Sequence, residues 1–509
     1  MLALHLYNLL SVLYLLGYDI GTSSIKASLI RADSGKLIAQ DYYPKIELNI
    51  ISSKEGWAEQ DPEIWWECLV KVTRKLLNEA RVTKEEIKAI GISYQMHGLV
   101  LVDQNLKVLR PAIIWCDSRA VSIGEKAFEE IGKEKCLSHL LNSPGNFTAS
   151  KIKWVKDNEP EIFSKVYKAM LPGDFIAMKL TGNAFTTVSG LSEGILWDFK
   201  YDKPATFLLD YYEIPQTILP EIVPTFSHQG NLTSEAANEL GLSESTIVSY
   251  RAGDQPNNAF CLTVMHQGEV AATAGTSGVI YGVTEKLTYD EKSRVNIFAH
   301  VNHSYQHKSL GILLCTNGSG IMYSWLKNTL LANVQDLSYP SMNQLAQEAP
   351  IGADGLQIFP FGNGAERILE NRDIKAFIHN ISFNKHQLSH FLRAAQEGVV
   401  FSLNYGLNIM KQMGVKCETI KVSEGNLFLS PIFREAFANT TGCTIKLYAT
   451  SGSEGAARGA GIGMGYYKSF QEAFDGIQPK AEIIPNENLR ELYLDTYQRW
   501  ENTLKKIMY

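Results

Sequence analysis

The sequence predicts an α/β protein built from two related halves, and two observations support this. Strands lead into helices in both halves of the chain, which is typical of layered α/β folds. The tripeptide Gly-Thr-Ser also occurs twice, at residues 21–23 and 275–277, each time between two β-rich apolar runs. With 509 residues the chain is too long for one hydrophobic core, so we expect two or three domains.

Turn residues and one helix start divide the first half into separate elements. The first Gly-Thr-Ser and Ser34-Gly35 supply turns between β-rich runs, which predicts two consecutive hairpins. Asp61 and Pro62 are typical of an N-cap and a first helical residue. The predicted elements are strands at Tyr14–Ile20, Ile25–Arg31, Leu37–Tyr43, Ile87–Ser93 and Leu99–Asp103, a helix from Pro62 to Leu77, and mixed helix and loop over residues 120–245.

The second half starts with β-rich runs of its own from residue 247. The whole chain contains no GxxxxGK[ST] string, so it is not a P-loop enzyme. The glycines between Gly459 and Gly465 predict a helix that packs closely on its neighbours, because glycine permits close approach. The predicted elements are strands at Ile247–Ala252, Val270–Ala274, Val279–Val283, Ile420–Val422 and Ile445–Tyr448, and helices at Ile321–Leu331, His386–Met413, Ser430–Thr440, Ser453–Tyr467 and Glu491–Lys506.

Composition and charge exclude several classes of protein. The formal net charge of −6 argues against a nucleic-acid partner. Seven scattered cysteines without a CxxC pair fit a reducing cytoplasm. The apolar segment Met1–Leu16 lacks the basic start and cleavage site of a signal peptide, and it is too short for a membrane span. We therefore expect no membrane partner, and we expect translation to begin at Leu13, from a non-ATG codon, so that residues 1–12 are not made.

The two Gly-Thr-Ser turns are candidate phosphate sites. Glycine lets the backbone approach a ligand, and successive N–H groups can surround a phosphate. Asp19 ends the strand before the first turn, and its carboxylate would repel phosphate unless a cation lay between them. A Mg²⁺ role for Asp19, direct or through water, is therefore favoured over capping of the turn. Lys26 either lies near the phosphate or is a solvated strand residue.

Asp254 is the best candidate for a general base. It follows the run Ile247–Ala252 and so lies at a strand end, where a carboxylate can accept a proton from a substrate hydroxyl. An ordinary Asp-Gln-Pro turn is the alternative. Gln95, Met96 and His97 follow another strand and offer the mixed polar and apolar groups that bind a polyol. Aromatic and polar residues flank this segment: Trp57, Glu59, Gln60, Trp115, Asp117 and Arg119.

Together these motifs resemble the FGGY family of carbohydrate kinases over almost all of residues 14–470. The Gln-Met-His-Gly segment at residues 95–98 is typical of the D-xylulose kinases of that family. The matching strings, in order, are Asp-Ile-Gly-Thr-Ser-Ser-Ile-Lys (19–26), Gly-Trp-Ala-Glu-Gln-Asp-Pro-Glu-Ile-Trp-Trp (56–66), Gly-Ile-Ser-Tyr-Gln-Met-His-Gly (91–98), Trp-Cys-Asp-Ser-Arg (115–119), Ala-Gly-Asp (252–254), Ala-Gly-Thr-Ser-Gly-Val (274–279) and Gly-Ser-Glu-Gly-Ala-Ala-Arg-Gly-Ala (452–460).

The resemblance implies two actin-like (ribonuclease-H-like) domains with the active site in the cleft between them. Residues 13–255 would form the sugar-binding side and residues 256–509 the nucleotide-binding side. It implies Mg²⁺-dependent transfer of the ATP γ-phosphate to the 5-hydroxyl of D-xylulose, a step of pentose (xylose) catabolism, by a cytoplasmic homodimer. The implied roles are Asp254 as catalytic base, Gln95, Met96, His97, Asp254 and Gln255 at the sugar, Gly21, Thr22, Ser23, Gly275, Thr276, Ser277, Gly425 and Asn426 at the nucleotide, and Asp19 at the metal.

Two positions depart from the family's usual pattern and leave alternatives open. Gln255 stands where Asn is usual, which could redirect the sugar preference to L-ribulose, L-xylulose, L-fuculose or a polyol. Glu424 begins a segment that usually reads Gly-Gly-Gly-Ala, and it could crowd the adenosine or point to solvent. A non-catalytic sugar sensor, or an ATP-driven chaperone or filament protein, is a third possibility, although both Asp19 and Asp254 are present.

Overall fold

The computed structural model describes residues 12–335 and 337–508, and it confirms the predicted α/β class. The described residues form two compact units. The first unit comprises the described residues up to Thr263 together with Phe298–Leu310 and Ser451–Ile477, and the second comprises Val264–Ile297, Gly311–Thr450 and residues 478–508. The expectation that translation begins at Leu13 falls almost entirely on residues 1–11, which lie outside the described residues.

The first unit is built on a six-stranded mixed sheet. Tyr14–Ile20 pairs antiparallel with Ile25–Arg31, which confirms the first predicted Gly-Thr-Ser hairpin. Tyr14–Ile20 also pairs parallel with Ile87–Tyr94, which pairs parallel with Ile247–Gly253. Across the sheet the order is Phe226–Asn231, Ile247–Gly253, Ile87–Tyr94, Tyr14–Ile20, Ile25–Arg31 and Leu37–Tyr43.

The edge strand Phe226–Asn231 corrects the prediction of mixed helix and loop for residues 120–245. Only Gln229 of its six residues is buried, so the strand lacks the apolar alternation that would have marked it. Short strand pairs also occur in this part of the chain. The remaining strands of the first unit are Glu59–Gln60, Val100–Val102, Ala112–Ile113, Lys168–Met170, Phe185–Thr186, Trp197–Asp198, Lys203–Pro204 and Glu221–Ile222.

The helix Pro62–Ala80 shows how the sequence builds a layer against this sheet. Pro62–Ala80 begins as predicted, with the Asp61 carboxylate accepting a hydrogen bond from the Glu63 amide at 3.0 Å. It buries Trp65, Leu69, Val72 and Leu76 at helical spacing. The other helices of the unit are Val121–Ile131, Lys133–Leu140, Thr148–Asn158, Pro160–Phe163, Pro172–Thr181, Val188–Glu193, Thr206–Tyr211, the 3₁₀ turn Gln216–Ile218, Ser234–Leu240, Asp254–Cys261, Gly452–Gly463 and Phe470–Ala473.

The helix Gly452–Gly463 lies directly on the central strand of the sheet. A Cβ atom added to Gly17 would stand 1.9 Å from the Ser453 carbonyl oxygen, so only glycine fits there. The close packing predicted for this helix is therefore confirmed. The predicted extension to Tyr467 is wrong, because the chain turns at Gly465, whose φ of +76° ends helical geometry.

The second unit contains a seven-stranded sheet with the second Gly-Thr-Ser hairpin, also as predicted. Val270–Ala274 pairs antiparallel with Gly278–Thr284 and parallel with Thr419–Ser423. The strand order is Asn296–Ala299, Leu310–Thr316, Gly278–Thr284, Val270–Ala274, Thr419–Ser423, Thr444–Tyr448 and Ala481–Ile483. A separate two-stranded sheet pairs Gln357–Phe359 with Phe377–His379.

Helices of several kinds accompany this second sheet, including long helices near residues 400 and 500. Among the described residues, no helix combines the length and hydropathy that a membrane span requires. The helices are Gly320–Trp325 continuing into the π-helical Leu326–Leu330, Tyr339–Ala346, Leu388–Gln412, Pro431–Thr441 and Glu487–Met508, with 3₁₀ turns at Ala353–Gly355, Arg367–Leu369 and Asn426–Leu429.

Candidate active site

Three neighbouring parallel strands of the first unit end at the same level of the sheet. In the pairing register Ile20 lies opposite Tyr94, and Tyr94 lies opposite Gly253. The chain therefore continues from this edge into Gly21, Gln95 and Asp254. Ligands of α/β sheets bind outside the carboxyl ends of the strands, so this edge is the candidate site.

Asp254 opens the helix Asp254–Cys261 and is partly buried. Loss of solvation raises its pKa to about 7, and the negative charge of Asp19 adds to this rise. The backbone N–H and side-chain amide of Gln255 oppose it by hydrogen bonding to the ionised form. A carboxylate with this pKa is half ionised near neutral pH, which suits a group that accepts a proton during a reaction.

Asp19 lies one residue before the end of its strand, with its side chain 19% exposed. The Ser93 hydroxyl donates to one carboxylate oxygen at 3.1 Å, and the Lys26 ammonium lies 4.0 Å from the other. The Lys26 side chain is itself 54% exposed, so it is both solvated and close to the predicted phosphate turn. The described residues contain no cluster of three or more acidic, His or Cys side chains suited to a metal. A single carboxylate fits Mg²⁺ that arrives on a nucleotide and keeps its waters.

The segment Gln95–His97 is largely buried, and it is tied to the first Gly-Thr-Ser turn. The Thr22 hydroxyl donates to the Gln95 amide oxygen at 3.2 Å and accepts from the Trp115 indole at 3.0 Å. Trp115 is nevertheless 49% exposed. His97 adopts φ of +60°, unusual for a residue with a side chain, and its Nδ1 donates to the Glu193 carbonyl oxygen at 2.9 Å.

Glu193 is a neighbour of this cluster that the sequence did not indicate. Its side chain is buried, with the Tyr94 hydroxyl and the His97 backbone N–H as polar neighbours of the carboxylate. Burial raises its pKa well above the usual range, and the charges of Asp254 and Asp174 act in the same direction. A Cβ added to Gly253 would lie 2.4 Å from Glu193 Oε2 and 2.6 Å from Met96 Cγ. Glu193 therefore packs directly behind the backbone that carries Asp254.

The second Gly-Thr-Ser turn has a different environment, within the second unit. The Gly275 and Thr276 carbonyl oxygens accept hydrogen bonds from the Gly320 and Ile321 amides, at 2.8 and 3.1 Å. A Cβ on Gly275 would lie 3.3 Å from the Asn426 side-chain nitrogen. The structure thus brings Gly275 close to one of the two predicted adenosine-loop residues.

A cavity of about 420 Å³ lies next to the helix Gly320–Trp325, whose first amides bind this turn, and no sequence pattern predicted it. Its walls include Gly318, Ile321, Met322, Trp325 and Asn363. The only local signal is an apolar helix that ends in Trp325, whose side chain is 51% exposed. An apolar cavity next to a candidate phosphate turn has the chemistry that an adenine base needs.

Glu424, one of the two departures noted in the sequence, forms an ion pair near the protein surface. Its carboxylate pairs with the Lys480 ammonium at 2.5 Å, and its side chain is 37% exposed. A Cβ atom added to the next residue, Gly425, would meet none of the described residues within 4 Å, so this segment has room around it. The Glu424 side chain is held at the surface by Lys480.

The predicted site residues therefore form two groups. The first unit brings together Asp19, Gly21, Thr22, Ser23, Gln95, Met96, His97, Asp254 and Gln255, all at or just beyond the ends of its parallel strands. The second unit holds Gly275, Thr276, Ser277, Gly425 and Asn426.

Comparison with known proteins agrees with this fold and site. Residues 14–261 match the N-terminal domain of the FGGY family of carbohydrate kinases, and residues 270–465 match its C-terminal domain. The chain is 30% identical to the xylulose kinase of Bacillus subtilis (strain 168) over 501 residues, covering 95% of this chain and 96% of that protein. It is 29% identical to the L-xylulose/3-keto-L-gulonate kinase of Escherichia coli (strain K12) over 505 residues, covering 96% of each.

Among solved structures, the xylulose kinase of Rhodospirillum rubrum superposes with a TM-score of 0.85 at 24% identity, covering 97% of this chain and 99% of that one. The fold is therefore that of a sugar kinase with two actin-like α/β domains, as the resemblance implied. The chain belongs to the FGGY family of carbohydrate kinases. Membership implies an enzyme that phosphorylates a sugar and uses ATP.

Proposed function

We propose that this protein transfers the γ-phosphate of ATP to the 5-hydroxyl of D-xylulose, with Asp254 as the catalytic base. The observation that carries the proposal is the convergence of Asp254, Asp19 and the Gln95–His97 segment at one edge of the first sheet. The matched relatives named xylulose kinase support the choice of substrate. The family's usual division, with residues 13–255 on the sugar side and 256–509 on the nucleotide side, forms part of the proposal.

Asp254 supplies the proton acceptor. As the new O–P bond forms, the proton of the sugar hydroxyl passes to the Asp254 carboxylate, and ADP leaves with the electrons of the broken bond. The pKa of about 7 makes this carboxylate basic enough to take the proton while still ionised at neutral pH. Burial raises the pKa of the neighbouring Glu193 carboxyl group, which favours its uncharged form behind Asp254.

The phosphates are assigned to the two Gly-Thr-Ser turns. Gly21–Ser23 and Gly275–Ser277 offer backbone N–H groups and hydroxyls, and Lys26 adds a positive charge near the first turn. Mg²⁺ bound with the nucleotide would be held through Asp19, and it would neutralise charge on the transferring phosphate. Gly425, Asn426 and the cavity lined by Ile321, Met322 and Trp325 are assigned to the adenosine.

The sugar is assigned to Gln95, Met96, His97 and Gln255. The Gln95 amide and the His97 ring offer polar contacts, and Met96 offers an apolar one. The half-exposed Trp115 ring, fixed by its hydrogen bond to Thr22, adds an aromatic face for the C–H groups of a sugar.

A sibling kinase of another ketose or a polyol is the second candidate. Gln255 favours it, because its amide extends one methylene beyond the Asn that is usual in the family. The E. coli relative named L-xylulose/3-keto-L-gulonate kinase is about as similar to this chain as the xylulose kinases are. L-xylulose is therefore the first competitor to test, before L-ribulose and L-fuculose.

ADP release from Mg²⁺-ATP, measured with a panel of ketoses and polyols and a no-sugar blank, tests the proposal. D-xylulose should give the highest kcat/KM, and NMR of the product should place the phosphate on C5. A higher kcat/KM with L-xylulose would keep the chemistry and change the substrate. No stimulation by any sugar would overturn the kinase proposal in favour of a sensor.

We further propose a cytoplasmic homodimer. The described residues form no disulfide bond, which fits a reducing compartment. Light scattering of the purified chain should give about twice the mass of 56.8 kDa, and a monomer mass would contradict the dimer.

A further inference from the structure

A fully buried ammonium group connects the two segments that flank the candidate sugar site. Lys151 lies on the helix Thr148–Asn158 and has no exposed surface. Its Nζ donates hydrogen bonds to the His97 carbonyl oxygen at 2.9 Å and to the Ile114 carbonyl oxygen at 3.0 Å. Those carbonyls lie 54 and 37 residues away along the chain, so one side chain links three separate parts of the first unit.

The surroundings of Lys151 make this arrangement costly to maintain. Among the described residues, no carboxylate forms an ion pair with its ammonium. Burial lowers its pKa to about 8, although Asp117 and Cys116 oppose the change, and Arg119 lowers it further. The nearby Asp117 carboxylate is bound by Arg119 at 2.7 Å and by the Ala58 amide at 2.6 Å. A buried cation whose hydrogen bonds go to two main-chain carbonyls serves to hold the backbone in place.

Both bound segments need such support. His97 has the left-handed φ of +60°, which carries a conformational cost for a residue with a side chain. The same end of the Lys151 helix also contacts this turn, since the Phe147 ring packs edge-on against His97 at 4.8 Å. Ile114 immediately precedes Trp115, which bonds to Thr22. Lys151 therefore fixes the main chain beside His97 and beside Trp115 at once.

We propose that Lys151 is a positioning residue for the sugar, which holds the His97 turn and the Trp115 segment at a fixed separation. The inference rests on the proposed function, because it assigns the sugar to these two segments. In this role Lys151 acts through the main chain at His97 and Ile114, not by contacting the sugar or the nucleotide itself. Its loss should therefore weaken sugar binding while ATP binding and the proton acceptor Asp254 are kept.

Lys156 provides a matched control on the same helix. Its Nζ also binds main-chain carbonyls, donating to Glu213 O at 2.7 Å and Tyr212 O at 3.5 Å, and it pairs with the Glu213 carboxylate. Neither partner belongs to the candidate site. Lys151→Met and Lys156→Met thus each remove an ammonium group that binds two main-chain carbonyls. Only Lys151→Met should change the KM for the sugar.

The first test measures steady-state kinetics of both variants with the sugar that the wild type prefers. Lys151→Met should raise KM for the sugar by about 10-fold or more, as expected for the loss of two charge-assisted hydrogen bonds, and leave KM for ATP within about 2-fold. Lys156→Met should leave both values unchanged. Equal sugar KM values for the two variants, or a parallel rise in both KM values for Lys151→Met, would overturn the inference.

Hydrogen exchange gives a second test that needs no turnover. Lys151→Met should speed amide exchange in residues 95–99 and 114–117, whereas Lys156→Met should not. Unchanged exchange in those segments would overturn the inference even if no sugar were accepted. If the wild type phosphorylated no sugar, but Lys151→Met still exchanged faster than the wild type in these two segments and Lys156→Met did not, only the proposed function would be contradicted. Should Lys151→Met fail to fold, Lys151→Gln, which keeps neutral N–H donors, is compared in the same way.

Discussion

The two Gly-Thr-Ser hairpins share a tripeptide and a strand arrangement, yet their surroundings differ. At the first turn the Thr22 hydroxyl is bound to Gln95 and Trp115, and a carboxylate, Asp19, lies just before the turn. At the second turn the carbonyls of Gly275 and Thr276 accept from the start of a helix, Thr276 is exposed, and no acidic residue precedes it in the sequence of that strand. The residues around each turn, rather than the shared tripeptide, therefore determine which polar groups the turn presents to a ligand.

The strongest loss of activity is expected at Asp254, which lies at the same edge of the first sheet as the first turn. Asp254→Asn should lower kcat by about 10²–10⁴, because an amide of the same size cannot accept the hydroxyl proton. Steady-state ADP release measures this, with Asp210→Asn on the surface of the same unit as control. A variant that keeps more than a tenth of wild-type kcat would remove Asp254 from the role of base.

The same variant should change stability in a pH-dependent way. Because folding raises the Asp254 pKa from 3.8 to about 7, the folded state binds more protons than the unfolded state between these values. Wild-type stability should thus fall as pH rises through this range, and Asp254→Asn should not share that fall. The free energy of unfolding of Asp254→Asn should exceed that of the wild type by about 4 kcal/mol at pH 8, and this difference should vanish below pH 4. Urea unfolding at both pH values measures it, and an equal difference at both would contradict the raised pKa.

Catalysis should titrate with the same group in the free enzyme. Below pH 7 the kcat/KM of the wild type should fall about 10-fold per pH unit, since only ionised Asp254 accepts the proton. A pH–rate profile between pH 5 and 9 with saturating Mg²⁺ locates this limb. A profile that stays flat down to pH 5 would show that the base has an ordinary carboxylate pKa.

The two threonines of the hairpins allow the comparison to be tested directly. Thr22→Val removes two hydrogen bonds to the sugar-side residues, so it should raise KM for the sugar by about 5- to 10-fold. Thr276→Val should leave KM for the sugar unchanged and affect only ATP. Separate titrations of the sugar and of ATP measure both KM values for each of the two variants. If Thr22→Val left KM for the sugar unchanged and both variants raised only KM for ATP, the two turns would be equivalent after all.

The smallest effect is expected at Glu424, the departure nearest the second hairpin. Its partner Lys480 holds it at the surface, and exposed ion pairs contribute little. Glu424→Ala should therefore change KM for ATP by less than about 2-fold, with Lys480→Ala as the matched control. A several-fold gain in ATP affinity would show that Glu424 crowds the nucleotide.

The sequence predicted both hairpins, the helix that starts at Pro62 and the position of Asp254, because each depends on local patterns of turns and apolar residues. It missed Phe226–Asn231, a polar edge strand that pairs with only one neighbour. It also missed Glu193 and Lys151. Nothing in the run Lys-Ile-Lys-Trp-Val-Lys distinguishes Lys151 from Lys153 or Lys156, since its partners lie 37 and 54 residues away.

The helix Gly452–Gly463 has a consequence for how the chain is made. It covers the first sheet at Gly17, but about 190 residues separate it from the last strand and helix of the main part of that unit. At a synthesis rate of about 5–20 residues per second, that stretch takes roughly 10–40 seconds to translate. During that interval the nascent first sheet keeps one apolar face uncovered. Transiently exposed apolar surface promotes aggregation, so we expect the first sheet to be open to aggregation until this helix has been synthesised.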